Sequence, residues 1–360
     1  MVVGHYEGSR MKIAMLLSGG VDSSVALRLL AEEGHDLRAF YLKVWLEDEV
    51  AALGECPWEE DLGYVRSSCE QLDVALEVIP LQKEYLDTVI AYALDELRAG
   101  RTPSPDIMCN QRIKFGAFLD HLDSSFDRIA SGHYAQLEEA GGDVLLKRAP
   151  DPVKDQTYFL SNLVQTQLRQ LLFPIGHLLK SEVRQLAADF ELPTVDRKDS
   201  QGICFLGKVQ YRDFIQFHLG ERRGNIIDRE TGKTLGEHKG YWFYTIGQRF
   251  GLGLSGGPWY VVEKVLDDNV ILVSHQQQHD GRQRSTFDVH RMNWISSNPV
   301  FQDSELQVKL RHGPECTSCT IRPQGDRLQV GLAEPDSGIA AGQHAVFYDR
   351  DICLGGGVIV

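Results

Sequence analysis

A glycine-rich turn between a strand and a helix constrains the fold of this chain more than any other stretch. The apolar run 12–17 (KIAMLL) predicts a buried strand, SGGVDSS follows it directly, and a helical pattern runs over 24–33. Residues 37–45 predict a second strand. This strand–helix–strand unit indicates parallel strands, with the turn at the carboxyl end of the first strand.

The turn has the composition of a phosphate-binding loop. Gly19 and Gly20 permit close backbone approach, Ser18 and Ser23 add hydroxyl donors, and Asp22 could cap the helix or share a Mg²⁺ ion. The helix N-terminus that follows favours an anion. The turn is neither a Walker A loop nor a dinucleotide fingerprint, because it lacks both glycine patterns. A glycine pair alone would usually be an ordinary capped turn, but strand, loop and helix together favour phosphate binding.

Strands and helices alternate up to about residue 205, and the pattern then changes. Such alternation predicts a parallel sheet covered on both faces. The elements expected here are helices near 59–72 and 83–99 and strands at 74–79 and 127–131. From Asn225 onward glycine is frequent and short strands with turns are expected, and 285–360 alternate like a small antiparallel barrel or sandwich.

We therefore expect an α/β fold class with three domains. A parallel-sheet catalytic domain would occupy 1–207, a small, mostly β, central domain 208–280, and a C-terminal β-barrel 281–360. A length of 360 residues is enough for two or three cores. The N-terminal MVVGHYEGSR lacks the apolar core of a signal peptide and no long apolar run follows, so a cytoplasmic protein without membrane association is expected.

The charge of the chain is unevenly distributed. The formal net charge of −14 argues against nucleic acid as a partner, because binding to nucleic acid depends on phosphate neutralisation. However, 47–61 hold seven acids and no Lys or Arg, whereas 197–249 hold ten Lys and Arg against six acids. Local surface decides binding. The acidic total therefore weakens a nucleic-acid hypothesis without removing it.

The chain has seven cysteines, an odd number, which predicts reduced thiols rather than a disulfide scaffold. Cys56, Cys69 and Cys353 are interpreted as small core residues. Cys316 and Cys319 form a C-x-x-C without a second pair at zinc-site spacing, so we treat them as incidental and predict no metal site.

Two further cysteines have chemically suggestive neighbours. Pro103 and Pro105 predict an extended, exposed segment before Cys109, with a helix beginning after it; a thiol at a helix N-terminus is a better nucleophile. Asp106 could transfer a proton. Cys204 lies in DSQGICFLG, as in a loop entering an element. Two loop cysteines in a chain that also has a phosphate-binding loop suggest sulfur chemistry, in which one thiol carries sulfur and the other resolves it.

SGGVDS resembles the pyrophosphate loop of ATP pyrophosphatases, the adenine nucleotide alpha hydrolase-like superfamily. Together with other segments, it makes the whole chain similar to the tRNA-uridine 2-sulfurtransferase family (MnmA/TrmU), which thiolates the 2-position of the wobble uridine. The segments that carry this resemblance are LSGGVDSSV, YLKVW, CPWEEDL, PDIMCNQRIKFG, SGHYA, KDQTYFLS, FPIGHLLKSEVR, DSQGICFLG, YTIGQRFGLGL and AGQHAVFYDRDICLGGGVI.

The resemblance implies roles for individual residues. Cys109 would be the nucleophile, Cys204 the persulfide carrier and Asp106 the proton carrier, with a Cys109–Cys204 disulfide as product. ATP, with Mg²⁺, would be bound by Leu16, Leu17, Ser18, Gly19, Gly20, Val21, Asp22, Ser23, Leu42 and Gly132. Contacts to tRNA would come from Ser104, Pro105, Asp106, His133, Lys154, Asp155, Gln156, Arg311, His312 and Gln343. The implied partners are tRNA and a persulfide sulfur-donor protein, and a monomer is expected.

The chain departs from the family pattern at three places. Ser104 replaces an Asn of the base-contact segment, Leu42 replaces a Met near the adenine, and Arg311 to Pro314 replace Arg-Tyr-Arg-Gln. Two other functions remain open on the residues alone. One is a synthetase of the ATP pyrophosphatase type, which would share SGGVDS but would not need the cysteine segments. The other is a non-catalytic tRNA-binding or sulfur-carrier protein, which would leave the loop without a use.

Overall fold

The computed structural model describes residues 10–44, 58–198, 211–275, 284–296 and 306–360. Its N-terminal part is built on a five-stranded sheet in the order β3-β2-β1-β4-β7, with all neighbours parallel. The strands are β1 (Lys12–Leu16), β2 (Asp36–Lys43), β3 (Ala75–Pro80), β4 (Arg128–Ser131) and β7 (Leu171–Leu172). The parallel sheet predicted from the alternating pattern is thus confirmed.

Both faces of this sheet are buried. Along β1, Ala14 and Leu16 pack into one apolar cluster, whereas Ile13 and Met15 pack into another. Because successive side chains of a strand point to opposite faces, the two clusters lie on the two sides of the sheet. This burial on both faces explains why KIAMLL is a continuous apolar run that does not alternate with polar residues.

Helices cover both faces of the sheet. They are α1 (Val21–Glu32), α2 (Trp58–Gln71), α3 (Gln82–Tyr85), α4 (Ala91–Arg98), α5 (Pro105–Cys109), α6 (Thr157–Leu160), α7 (Gln165–Leu168) and α8 (Lys180–Asp189). The helix predicted at 83–99 is present but contains a π-helical turn at Leu86–Ile90 between α3 and α4. A second π-helical turn, Asn110–Lys114, extends α5. Within the described residues, no helix has the length and apolar character that crossing a bilayer requires.

The central part is small and mostly β, as predicted. It begins with α9 (Tyr211–Leu219) and continues as a four-stranded sheet in the order β10-β11-β8-β9. The strands are β8 (Gly224–Asp228), β9 (Thr234–His238), β10 (Tyr260–Val265) and β11 (Val270–Ser274). β8 and β11 pair in parallel, and the two outer pairs are antiparallel.

The C-terminal strands close into an antiparallel barrel. Their order is β12-β15-β14-β13-β16-β17, and β17 pairs back with β12, for example through Val289 and Ile359. The strands are β12 (Arg284–Trp294), β13 (Leu306–Lys309), β14 (Thr317–Gln324), β15 (Arg327–Asp336), β16 (His344–Asp349) and β17 (Ile352–Ile359). This closure decides between the barrel and the sandwich that the alternating pattern left open.

A hairpin from the N-terminal part of the chain joins this barrel. β5 (Ala135–Ala140) and β6 (Asp143–Arg148) pair antiparallel with each other, and β6 also pairs with the start of β17 through Cys353 and Leu146. Nothing in the alternating pattern indicated this hairpin. It ties the chain that follows β4 to the C-terminal barrel.

Candidate active site

The phosphate-binding turn lies where the sequence predicted it. β1 ends at Leu16, and α1 begins at Val21, directly after Gly20, which is extended and offers the helix no side-chain cap. Gly19 has a φ of +77°, a conformation that L side chains rarely adopt. The first N–H groups of α1 therefore remain open to an anion.

Three serine hydroxyls hold the turn in shape. Ser23 Oγ accepts from the backbone N–H of Ser18 at 3.3 Å, and the Ser23 and Ser24 hydroxyls each donate to the Gly20 carbonyl at 3.1 Å. The Ser18 and Ser23 hydroxyl oxygens lie 3.3 Å apart. These bonds are all local, joining residues at most five apart.

Gly132 follows β4 and packs directly against this turn. A Cβ atom there would lie 2.7 Å from the Ser23 backbone N and 2.8 Å from the Asp22 carbonyl carbon, closer than such contacts allow. Glycine is therefore required for the end of β4 to reach the loop. The expected nucleotide residues Leu16 and Leu17 are buried, so only their backbone can face a ligand, and Leu42 is half-buried in the core that contains Cys109.

Two cationic side chains, Lys180 and Arg197, lie at the turn, and the sequence motifs did not predict either of them. Lys180, the first residue of α8, places Nζ 2.7 Å from Asp22 Oδ1, and the Tyr134 hydroxyl donates to the same oxygen at 2.8 Å. Arg197 donates from Nη1 to the Gly19 carbonyl at 2.6 Å and forms an ion pair with Asp61. SGGVDSS itself contains no Lys or Arg, so among the described residues Lys180 and Arg197 bring positive charge to the loop. Lys180 lies in the marker FPIGHLLKSEVR, the one signal that could have indicated it.

The Cys109 segment differs from the prediction. The helix begins at Pro105, not after Cys109, with Ser104 as the preceding residue, because proline is well suited to the first position of a helix. Cys109 is the fifth residue of α5 and is only 7% exposed. Both Pro103 and Pro105 are buried, so the segment is neither extended nor exposed. The argument that a helix N-terminus activates this thiol was therefore wrong.

Asp106 lies in the first turn of α5, one turn before Cys109. Burial raises the pKa of its carboxyl group, and the positive charge of Lys114 opposes that rise. A carboxyl group with a raised pKa is better suited to carry a proton near neutral pH. Lys114 also helps to lower the pKa of His133, so its charge acts on both expected site residues.

His133 is buried, although the sequence analysis expected it to contact tRNA. Its Nδ1 lies 2.8 Å from the Ser131 hydroxyl, and its ring packs between Phe115 and Phe173. Burial holds its pKa well below the ordinary value, so the ring is neutral. The expected contact between His133 and tRNA remains a prediction that this packing does not favour.

Asp155 is turned inward, although the sequence analysis expected it to contact tRNA as well. Its side chain is fully buried and binds Lys309 Nζ of the barrel at 3.0 Å and Arg148 Nε of β6 at 3.1 Å. Buried charges require such partners. The carboxylate therefore fastens this segment to the barrel and is not presented to a ligand. Lys154 and Gln156 on either side are half-buried.

The remaining expected tRNA contacts lie on the barrel. Arg311 forms an exposed ion pair with Asp336 at 3.0 Å, and His312 stacks on Phe159 with ring centroids 4.6 Å apart. Gln343 lies in the turn before β16, half-buried. The same turn holds the segment that leads into the active site, because the Ala341 carbonyl accepts a hydrogen bond from the Thr102 N–H at 2.8 Å.

All three parts of the chain meet just before Ser104. From the central part, Lys264 Nζ donates to the Gly100 carbonyl at 3.0 Å and the Tyr241 hydroxyl donates to the Arg98 carbonyl at 2.6 Å. From the barrel, Ala341 binds Thr102. The segment 98–102, which leads into Ser104–Asp106, is therefore held by both neighbouring parts.

Cys204 lies at 199–210, outside the described residues, as does Cys56 at 45–57. The residues that flank the Cys204 segment are described. Arg197 binds the phosphate turn. Burial, together with the negative charge of Asp106, raises the pKa of Tyr211, the first residue of α9, to about 12. Of the C-x-x-C pair, Cys319 is buried in the barrel and Cys316 lies 3.6 Å from Arg148 Nη1; both are free thiols.

Three protein-family models together match nearly the whole chain. Residues 11–208 match the model described as the tRNA methyl transferase HUP domain, 212–275 its PRC-barrel domain, and 284–359 the aminomethyltransferase β-barrel domain. A curated relative from Parabacteroides distasonis, named tRNA-specific 2-thiouridylase MnmA, is 46% identical over 97% of this chain and 99% of its own length.

Two further relatives carry the same name. The chain is 46% identical over 97% of its length to tRNA-specific 2-thiouridylase MnmA 1 of Bacteroides thetaiotaomicron, 99% of which is covered. It is 45% identical over 97% of its length to the tRNA-specific 2-thiouridylase MnmA of Porphyromonas gingivalis, again with 99% covered. Each match runs through the parallel sheet, the central part and the barrel.

Proposed function

This chain belongs to the tRNA-specific 2-thiouridylase MnmA family, and we propose that it is a sulfurtransferase that thiolates a tRNA uridine. The observation that carries this proposal is the identity of 46% over 97% of the chain, because it covers the phosphate turn and the cysteine segments alike. The finer proposal is that the target is the wobble uridine and that ATP activates its 2-carbonyl.

The first step is adenylation. ATP would bind with its phosphates at the open N–H groups of α1, where Lys180 and Arg197 supply positive charge. The uridine O2 attacks the α-phosphate, the bond between the α and β phosphates breaks, and pyrophosphate leaves. The flipped base would lie at Ser104–Asp106, because the C2 carbonyl is poorly accessible in a stacked base.

Mg²⁺ would neutralise charge on the phosphates. The described residues hold no group of three His, Cys, Asp or Glu side chains arranged to bind a metal. The ion would therefore arrive on ATP, and Asp22 is the carboxylate of the turn that could share it.

The second step is sulfur transfer. A persulfide on Cys204, loaded by a donor protein, attacks C2 through its terminal sulfur, and AMP leaves. Cys109 then attacks the inner sulfur, which releases the thiolated base and leaves a Cys109–Cys204 disulfide that a thiol reductant must reopen. In the alternative order, Cys109 first releases hydrosulfide, which attacks C2. Asp106, with its raised pKa, would carry the proton.

The flanks of the Cys204 segment support this arrangement. Arg197, seven residues before Cys204, is bonded to the phosphate turn, and Tyr211, seven residues after it, lies within the electrostatic reach of Asp106. The described residues on both sides of the segment therefore lie near the two halves of the proposed site.

Reconstitution tests the proposed function. The purified chain, ATP, Mg²⁺, sulfide and an unmodified tRNA should yield 2-thiouridine, detected by mass spectrometry of the digested nucleosides. In a parallel reaction supplied with S-adenosylmethionine as methyl donor, a methylated nucleoside would instead support the activity named in the family description. Nucleosides that stay unmodified in both reactions would contradict both activities.

Pyrophosphate release separates the two other functions that the sequence left open. Release should require ATP and unmodified tRNA together. Release with ATP alone would favour a synthetase, and no release under any condition would favour a binding protein.

A further inference from the structure

A phenylalanine on the central part of the chain is almost fully exposed. Phe250 is 79% accessible, the most exposed large apolar side chain among the described residues. The guanidinium of the neighbouring Arg249 lies 5.4 Å from the ring centroid. Burying a ring of this size is favourable, so an exposed one is available for a contact with a ligand outside the chain.

The turn that carries Phe250 is well held. Gln248 Nε2 donates to the Phe250 carbonyl at 2.9 Å, and Gln248 Oε1 accepts from the Thr245 N–H at 3.0 Å. Val261, the second residue of β10, binds the turn through its backbone. Its carbonyl accepts from the Gly247 N–H at 2.8 Å, and its N–H donates to the Gln248 carbonyl at 2.9 Å. The ring therefore projects from an anchored turn, which lowers the entropy cost of using it in binding.

The same turn adjoins the segment that leads into the proposed active site. The Thr245 and Thr102 hydroxyl oxygens lie 3.3 Å apart, and Thr102 is two residues before Ser104. Phe250 is five residues beyond Thr245, at most about 18 Å even for a fully extended chain. An RNA loop whose base occupied Ser104–Asp106 would bring its neighbouring nucleotides into this region.

We infer that Phe250 and Arg249 form a stacking platform for an unpaired base of the tRNA, next to the base that reacts. This inference rests on the proposed function. Single-stranded RNA is recognised by stacking of bases on aromatic side chains and Arg planes, and the stretch 197–249 carries the excess of positive charge that a phosphate backbone requires.

A protein partner, such as the sulfur donor, suits this site less well. The ring is isolated: Arg249 and Gly251 on either side are exposed, and Leu252 is buried. The core of a protein interface needs a contiguous apolar patch, whereas one ring beside a cation is sufficient for a base.

The test compares Phe250→Ala with Phe250→Trp and a matched control, Phe217→Ala, which removes the other exposed phenylalanine, on α9. Binding of unmodified tRNA by the full chain is measured by filter binding, and 2-thiouridine formation is measured with sulfide in place of a donor protein. Phe250→Ala should weaken tRNA binding and raise the KM for tRNA about tenfold, equivalent to about 1.4 kcal/mol, with kcat nearly unchanged. Phe250→Trp should bind tRNA as tightly as the wild type does. Phe217→Ala should also match the wild type in tRNA binding and in the KM for tRNA.

Unchanged tRNA affinity in Phe250→Ala would overturn the inference. So would an equal loss in Phe217→Ala, or a defect that appears only when a persulfide donor protein replaces sulfide, which would assign the ring to the donor. If the wild type binds tRNA but forms no 2-thiouridine, the proposed function fails, while the binding comparison still tests the platform.

Discussion

The phosphate turn and the Cys109 segment are held in place by different kinds of contact. Within the turn, the serine bonds join residues at most five apart, from Ser18 to Ser24, and distant side chains such as Arg197 add to them from outside. The Cys109 segment depends on distant partners: Ser104 N–H donates to the Tyr92 hydroxyl, and Asn110 donates to the Phe159 carbonyl 49 residues away. A locally closed motif can be recognised from its letters, whereas the surroundings of a buried thiol depend on the whole fold.

If each region serves one step, substitutions in the cysteine segment should stop sulfur transfer, and substitutions at the turn should stop adenylation. The largest effect is expected for Cys109→Ser. With a persulfide donor protein as the sulfur source, it should abolish 2-thiouridine formation, since the hydroxyl cannot resolve a persulfide, while tRNA binding and tRNA-dependent pyrophosphate release persist.

Cys316→Ser is the matched control for that loss, because Cys316 is a half-buried free thiol without a proposed role. Thermal unfolding should show that both variants fold. Measurable thiolation by Cys109→Ser from the persulfide donor would remove the two-thiol scheme.

Gly132→Ala should have the next largest effect, because it displaces the phosphate turn and so slows adenylation. Its Cβ would lie 2.7 Å from the Ser23 backbone N, so α1 must shift, at a stability cost of about 1–3 kcal/mol typical of overpacking. Pyrophosphate release should fall at least tenfold. Gly63→Ala, whose Cβ meets nothing within 4 Å in α2, should leave release unchanged. A normal rate in Gly132→Ala would show that the turn tolerates displacement.

Lys180→Met should weaken ATP binding without removing the turn. Lys180 Nζ lies beside Asp22 in the turn and its side chain is only 13% exposed. A charged hydrogen bond from this ammonium to an ATP phosphate would contribute about 1.5–3 kcal/mol. The KM for ATP should therefore rise roughly tenfold or more, with Lys180→Arg recovering part of the loss. Lys83→Met breaks a similar but exposed pair with Asp87 and serves as control. An unaltered KM for ATP would restrict Lys180 to a structural role.

The smallest effect concerns pH. Burial raises the pKa of Asp106 above its ordinary 3.8, so folding favours the protonated form. Its contribution to stability is complete below pH 3.8 and is lost as the pH rises through the folded-state pKa. Asp106→Asn cannot ionise and should unfold at a slightly higher temperature than the wild type at neutral pH, with no difference in acid. Calorimetry as a function of pH measures this; a less stable variant at neutral pH would contradict the sign.

Sequence patterns predicted the parallel sheet, the position of the turn and the β character of the last third. They failed where contacts distant in sequence decide the outcome. The hairpin β5–β6 joins the barrel because Leu146 pairs with Cys353, more than two hundred residues away. Asp155 was expected at a surface, but Lys309 from β13 draws it inside.

The sequence by itself determined where the phosphate turn lies, because Gly19, Gly20 and the serines form its inner bonds between Ser18 and Ser24. It also determined the family, through segments spread along the whole chain. Only the tertiary structure decided that Cys109 is buried one helical turn after Asp106 and that Lys180 and Arg197 supply the turn's positive charge. The physical reason is that burial, pKa shifts and ion pairs depend on which surfaces fold together, and that is not a local property of any segment.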